Sequence, residues 1–119
     1  MRLLLFFLLL AGLAIPALAR SDSPPDRSGH YYLQGVMETG SELLLRPDGS
    51  FQWYLSVGAL DLVAEGGWSE QNGAVVLMAE KTKDVPEPAF ETMRLTIRDA
   101  DLIPPNDRGA YVKAPPSSD

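Results

Sequence analysis

Acid–base catalysis is the first chemistry that the residue types allow. Glu38 and Glu42 are the best carboxylate pair, four positions apart. In an extended strand those positions lie about 13 Å apart, at roughly 3.3 Å per residue. Paired carboxylates in glycoside hydrolysis work at roughly 5–9.5 Å. Only a tight turn at Thr39-Gly40 would close that gap, so the two read as solvated turn carboxylates. Asp99 and Asp101 straddle an expected hairpin turn and offer two carboxylates where calcium takes about six to eight oxygen ligands. Asp48-Gly49-Ser50 is also turn chemistry. With no Cys, one His and no Gly-x-Ser-x-Gly elbow, the parts of an ordinary nucleophilic or zinc site are missing. His30 reads as an exposed residue ahead of the first strand. The expectation is a non-enzymatic protein with no catalytic residue, metal or cofactor. A small hydrolase using Glu38, Glu42 or Asp61 is the third reading.

Binding chemistry is better represented. Phe51, Trp53, Trp68 and Leu43 fall on one face of the expected sheet, where they either pack a core or line a small apolar pocket. Gly58-Ala59-Leu60-Asp61 joins two strands without the residue pairs of a standard two-residue hairpin. Gly58 permits an unusual backbone angle, Asp61 can bond nearby amides, and Leu60 is apolar where a loop is expected. That segment reads as a structural corner or as the rim of a ligand-binding mouth or partner surface. The candidate ligand-binding residues are therefore Trp53, Trp68, Phe51, Leu60 and Asp61. Tyr31, Tyr32, Tyr54 and Leu44 form an expected outward cluster, and such a patch would suit a partner. Phe90 shares parity with Arg94 and Arg98, so it is either exposed or shifted by a bulge near Pro88.

The elements that position these residues follow from period 2, which recurs where no sustained 3.6-residue period does. Phe51, Trp53, Leu55 and Val57 alternate with polar neighbours, as do Met93, Leu95 and Ile97, and Val75, Leu77 and Ala79 form a third set. Pro47-Asp48-Gly49 suits a three-residue hairpin loop with a bulge, and Asn72-Gly73 a two-residue type I′ turn. The first turn sets Leu45 opposite Phe51 and Leu43 opposite Trp53; the second sets Trp68 opposite Leu77. In both hairpins the large apolar residues then share one face, as a half-buried antiparallel sheet requires. The expected strands are Tyr31–Met37, Glu42–Arg46, Ser50–Val57, Leu62–Gln71, Ala74–Glu80, Phe90–Arg98 and Ala110–Lys113. Gly66-Gly67 invites a bulge or sharp bend that lets the sheet curl. The fold class is all-β: an antiparallel meander of about six to eight strands forming a small barrel or half-barrel.

The ends of the chain carry different information. Arg2, the apolar run Leu3–Leu10, Pro16 and Ala17-Leu18-Ala19 make the pattern of a secretory signal peptide, residues 1–19, cleaved after Ala19. The alternative is a retained anchor, for which the apolar stretch is at the short limit. Residues 20–29 read as a disordered leader and residues 114–119 as a disordered tail, leaving residues 30–113 as one β domain. Removing the signal, with its single basic residue, moves the net charge from −6 to −7. An acidic chain of this size excludes a multidomain enzyme and argues against nucleic-acid binding. Without Cys, no disulfide can reinforce it.

Gly40-Ser41-Glu42-Leu43-Leu44-Leu45-Arg46-Pro47-Asp48-Gly49-Ser50-Phe51, then Gly58-Ala59-Leu60-Asp61 and Gly67-Trp68, resembles an uncharacterised family of small exported bacterial proteins with GSELLL-x-PDG-x-F, GALD and G-x-W motifs. More distantly the hairpins are similar to lipocalin-like meanders. The resemblance implies a small antiparallel barrel-like fold and carries no activity. The resulting expectation is an exported monomer, periplasmic or secreted, with no stable membrane insertion after signal cleavage. It would bind a small apolar ligand in an aromatic-lined cup. The alternative is an interaction module that binds an envelope protein through Gly58–Asp61 or a sheet edge.

Overall fold

The structure is a computed structural model that describes residues 26–115. The expected export signal, its expected cleavage point after Ala19, and most of the expected leader and tail lie outside the described residues. Eight strands follow one another: β1 (Gly29–Gln34), β2 (Thr39–Leu45), β3 (Ser50–Val57), β4 (Leu60–Gln71), β5 (Ala74–Ala79), β6 (Thr92–Arg98), β7 (Asp101–Ile103) and β8 (Ala110–Lys113). Each pairs antiparallel with the next, and β8 returns to β1, so the meander is a closed up-and-down barrel. Each strand thus has a neighbour on both sides, although the part of β4 that precedes Gly66 has no strand partner on the β5 side.

The turns set the register by the local chemistry expected of them. Arg46 and Ser50 bracket the Pro47-Asp48-Gly49 loop, with the Arg46 N–H donating to the Ser50 carbonyl at 2.9 Å and the Gly49 N–H to the Arg46 carbonyl at 3.0 Å. Leu45 then pairs with Phe51 and Leu43 with Trp53. Asn72 and Gly73 both take positive φ, 49° and 77°, as a type I′ turn requires, and Trp68 pairs with Leu77. The side chains aimed inward form one cluster: Tyr31, Leu43, Phe51, Val75, Leu77, Leu95 and Leu102 are all nearly inaccessible.

Several expectations need correction. Gly58-Ala59 is a standard two-residue turn after all: Val57 pairs with Leu60, φ is +58° at Gly58 and not positive at Ala59, the pattern of a type II′ turn. Leu60 and Asp61 therefore belong to β4, not to a loop. β2 begins at Thr39, so the chain between Glu38 and Glu42 is extended and holds those carboxylates apart. Tyr31 is not part of an outward cluster; it is buried and its hydroxyl donates to the Arg27 carbonyl at 2.7 Å. Phe90 lies ahead of β6, so strand parity does not govern it. It turns inward, stacked near Phe51 and edge-on to Trp53, with centroids 6.2 and 5.1 Å away. The register runs through Gly66-Gly67 with no inserted residue, so there is no bulge. Gly66 instead faces Phe51 on β3 and Ala79 on β5, where β4 passes from one partner to the other. The barrel also starts earlier than expected, at Gly29. The last leader residues are held: Arg27 ion-pairs with Glu70 at 3.1 Å, and the Asp26 carbonyl accepts from the Lys113 ammonium at 3.0 Å.

The close approach at Gly66 and the turn at Gly58 give contrasting expectations. A Cβ at Gly66 would sit 2.2 Å from the Met78 carbonyl oxygen, whereas one at Gly58 would meet nothing within 4 Å. Gly66→Ala is expected to destabilise the barrel by about 2–3 kcal/mol through a backbone shift. Gly58→Ala should cost only about 1–2 kcal/mol for an alanine held at positive φ, with no clash to relieve. Urea unfolding of both variants checks the order, and an equal loss would contradict the close-approach account. The Asp48 carboxyl accepts from the Ser50 hydroxyl and N–H, which hold it below its ordinary value of 3.8. Its contribution is present above pH 3.8 and is lost as pH falls through the lowered native value. Asp48→Asn should remove that part of the acid limb in a stability–pH titration.

Candidate functional site

Inward-facing apolar residues lose their burial steadily toward one end of the barrel. Along β3, Trp53 is 6% exposed, Leu55 is half-buried and Val57 is 39% exposed. Along β4, running the other way, Ala64 is 2% exposed, Leu62 is half-buried and Leu60 is 52% exposed. All six share the inward register, so the interior is open where the β1–β2, β3–β4 and β7–β8 connections lie. A cavity of about 450 Å³ occupies this end, within the usual range of roughly 300–1,000 Å³ for ligand pockets. Leu33, Leu55, Met93 and Pro104 contribute to its wall, Trp53 and Tyr111 line it from the interior, and Arg108 contributes from the β7–β8 connection.

The opposite end is filled. Trp68 covers it from β4, its indole N–H donating to the Arg46 carbonyl at 2.9 Å. Arg27, with only 16% of its side chain exposed, reaches across to Glu70. Burial pushes the Tyr31 phenol above its ordinary value.

Between the two ends lies a directed chain of hydrogen bonds. The Ser41 hydroxyl donates to the Tyr54 carbonyl at 2.6 Å, since a carbonyl can only accept. The Tyr111 hydroxyl, 2.7 Å from Ser41 Oγ, must therefore donate to it, and it accepts from the Trp53 indole N–H at 3.0 Å. Every donor in the chain is thus spent inside the barrel. The cup has a floor that is satisfied in itself and apolar walls above.

The five candidate residues are not brought together. Trp53 lines the cup. Phe51 lies below it, buried against Phe90, and Trp68 is at the filled end. Leu60 stands beside the rim, cross-strand from Val57. Asp61 pairs with Ser56 and faces outward, exposed. The sequence reading missed Tyr111, Ser41 and Arg108. Tyr111 was within reach of it, because Ala110–Lys113 was an expected strand; its inward direction depends on closure against Leu33.

A second cavity, of about 440 Å³, lies on the outer face beneath the segment joining β5 to β6. It contains His30 and Glu42, which correct two further expectations. His30 is in β1, with Nε2 2.7 Å from Glu42 Oε1 and its ring stacked on Tyr32 at 4.6 Å. Glu42 is in β2 and also accepts from the Tyr54 hydroxyl at 2.9 Å, which holds the Tyr54 phenol above its ordinary value. Glu65 accepts from Thr82, and Gln52 Oε1 from Arg46. His30, Glu42 and Tyr54 are thus engaged with one another on the floor of the cleft, while Asp84 borders it from the β5–β6 segment.

No protein-family model, curated protein or solved structure matches the chain.

Removing the Tyr111 hydroxyl would strand the Trp53 N–H without an acceptor. Tyr111→Phe is expected to destabilise the protein by about 1–3 kcal/mol, with the dependence on urea concentration unchanged. A loss below about 0.5 kcal/mol in urea unfolding would mean that the chain of bonds is not a structural tie.

Proposed function

We propose that the protein is an exported, non-enzymatic carrier that holds a small apolar molecule in the cup at the open end of the barrel. The observation that carries this reading is the growing exposure of the inward-facing apolar side chains that line the cup, from Trp53 through Leu55 to Val57. Inward apolar surface left open to water gives up the burial free energy that the same residues gain at the filled end, about 25 cal/mol per Å². A ligand that covers this surface recovers it. The export pattern in residues 1–19 supports an extracytoplasmic setting. A second reading, docking of an envelope protein at this same end, draws on Met37 and Leu60, which are exposed near the β1–β2 and β3–β4 turns.

The neutral dye N-phenyl-1-naphthylamine tests the carrier reading. It is expected to bind with one-to-one stoichiometry and enhanced emission. Leu55→Trp, which fills the cup, should weaken binding about tenfold or more, the effect of losing about 1.4 kcal/mol of contact. Val112→Trp, on the outward face of β8, should leave it within about twofold. No dye binding, or equal effects of the two substitutions, would overturn the carrier reading.

A further inference from the structure

We infer that the cup takes an amphiphilic carboxylate, with its apolar end against the Trp53–Tyr111 floor and its head group at Arg108. The inference rests on the carrier reading and adds the ligand's chemistry and direction. An anionic head needs N–H or O–H donors. The floor offers none, because the Trp53, Tyr111 and Ser41 donors are all spent along the chain that ends at the Tyr54 carbonyl. The wall at Leu33, Leu55 and Met93 has no side-chain donors. Donors therefore lie only toward the rim. There the Thr39 hydroxyl is engaged with the Met37 carbonyl at 3.2 Å. Asn106 accepts the Arg108 backbone N–H at 3.0 Å and keeps its amide N–H groups.

Among the described residues, Arg108 is the only charged one lining the cavity. It makes no ion pair among the described residues, although acidic residues outnumber basic ones 16 to 10 in the chain. Its guanidinium presents five donors in a planar fork that matches a carboxylate. Arg108 is exposed at the rim, and its one positive charge matches a head group with one negative charge. An apolar body with a monoanionic head thus finds a satisfied floor, an apolar wall and one cation, in that order from the inside outward.

Displacement of N-phenyl-1-naphthylamine by decanoate, 1-decanol and decylamine tests this in the wild type, Arg108→Gln and Arg108→Lys. These three probes share a chain and differ in head group. Decanoate is expected to displace the dye at a concentration about three- to tenfold lower than decanol in low salt, a range set by a partly exposed ion pair. Decylamine should be the weakest. Arg108→Gln should bring decanoate to the level of decanol without moving decanol, and Arg108→Lys should restore part of the difference. Equal potency of decanoate and decanol in the wild type, or a preference that survives Arg108→Gln, would overturn the head-group assignment and leave the carrier reading standing. Failure of the dye and of all three amphiphiles to bind would overturn both.

Discussion

A tryptophan N–H inside a β-barrel must find an acceptor, and here it finds one on the last strand of the meander. Trp53 on β3, Tyr111 on β8 and Ser41 on β2 are linked in one directed chain. β1 lies between β8 and β2 in the barrel, so this chain spans the place where the first and last strands meet. The tie matters because the neighbouring seam is thin: β7 pairs with β8 only through Leu102 and Tyr111. One residue, Tyr111, is thus both the single cross-strand partner at that seam and the acceptor for Trp53. The chain also divides the interior into two compartments. Below it the barrel is packed by Phe51, Phe90, Leu43 and Leu45; above it the inward residues face a cavity.

The packing below depends on a segment outside the regular strands. β4 is twelve residues long and β5 only six, so β5 cannot cover the part of β4 that precedes Gly66. Residues 80–91 fill that place. The Glu80 N–H donates to the Glu65 carbonyl and the Ala89 N–H to the Val63 carbonyl, both at 2.9 Å, so the segment satisfies backbone acceptors on the open side of β4. Between these two points Val85 is buried on the outer side, while Phe90 passes inward to contact Phe51 and Trp53. The segment does in irregular form what another stretch of strand would do, and it adds an aromatic ring to the core that no strand position supplies.

Which parts of this were legible in the sequence follows from how local the determining interactions are. The registers around Pro47-Asp48-Gly49 and Asn72-Gly73 are set within a few residues, so the inward placement of Phe51, Trp53, Leu77 and Trp68 could be read directly. The direction of Tyr31 against Tyr32 could not, because the turn joining β1 to β2 has no such signature, and adjacent tyrosines exchange faces with a shift of one residue. The same gap hid the His30–Glu42 contact, which needs His30 opposite Leu44 and Tyr32 opposite Glu42. The expected second strand starts at Glu42, yet Thr39, Gly40 and Ser41 lie in β2 because Val57, Ser56 and Leu55 pair with them across the sheet. Arg108 carries no local sign of a role. Its place at the cavity comes from closure of the barrel, which brings the β7–β8 connection over residues of β1, β3 and β6.

The pleat sorts the side chains that serve the two cavities, with Trp53 bordering both. Ser41 and Trp53 point inward, and their chain neighbours Glu42 and Tyr54 point outward into the cleft with His30. The same strands therefore carry an inner set whose donors are consumed and an outer set whose carboxylate is engaged. A slip of one residue in β2 would place Glu42 inside and Ser41 outside, and a slip in β3 would do the same to Tyr54 and Trp53. The slip in β2 would bury a carboxylate without the His30 partner it has on the outer face, and burying an ionised group unpaired is among the costliest changes available to a small domain. The polar outer row thus acts against the wrong register as firmly as the apolar inner row acts for the right one. The uncharged character of the cup floor is a consequence of the same alternation.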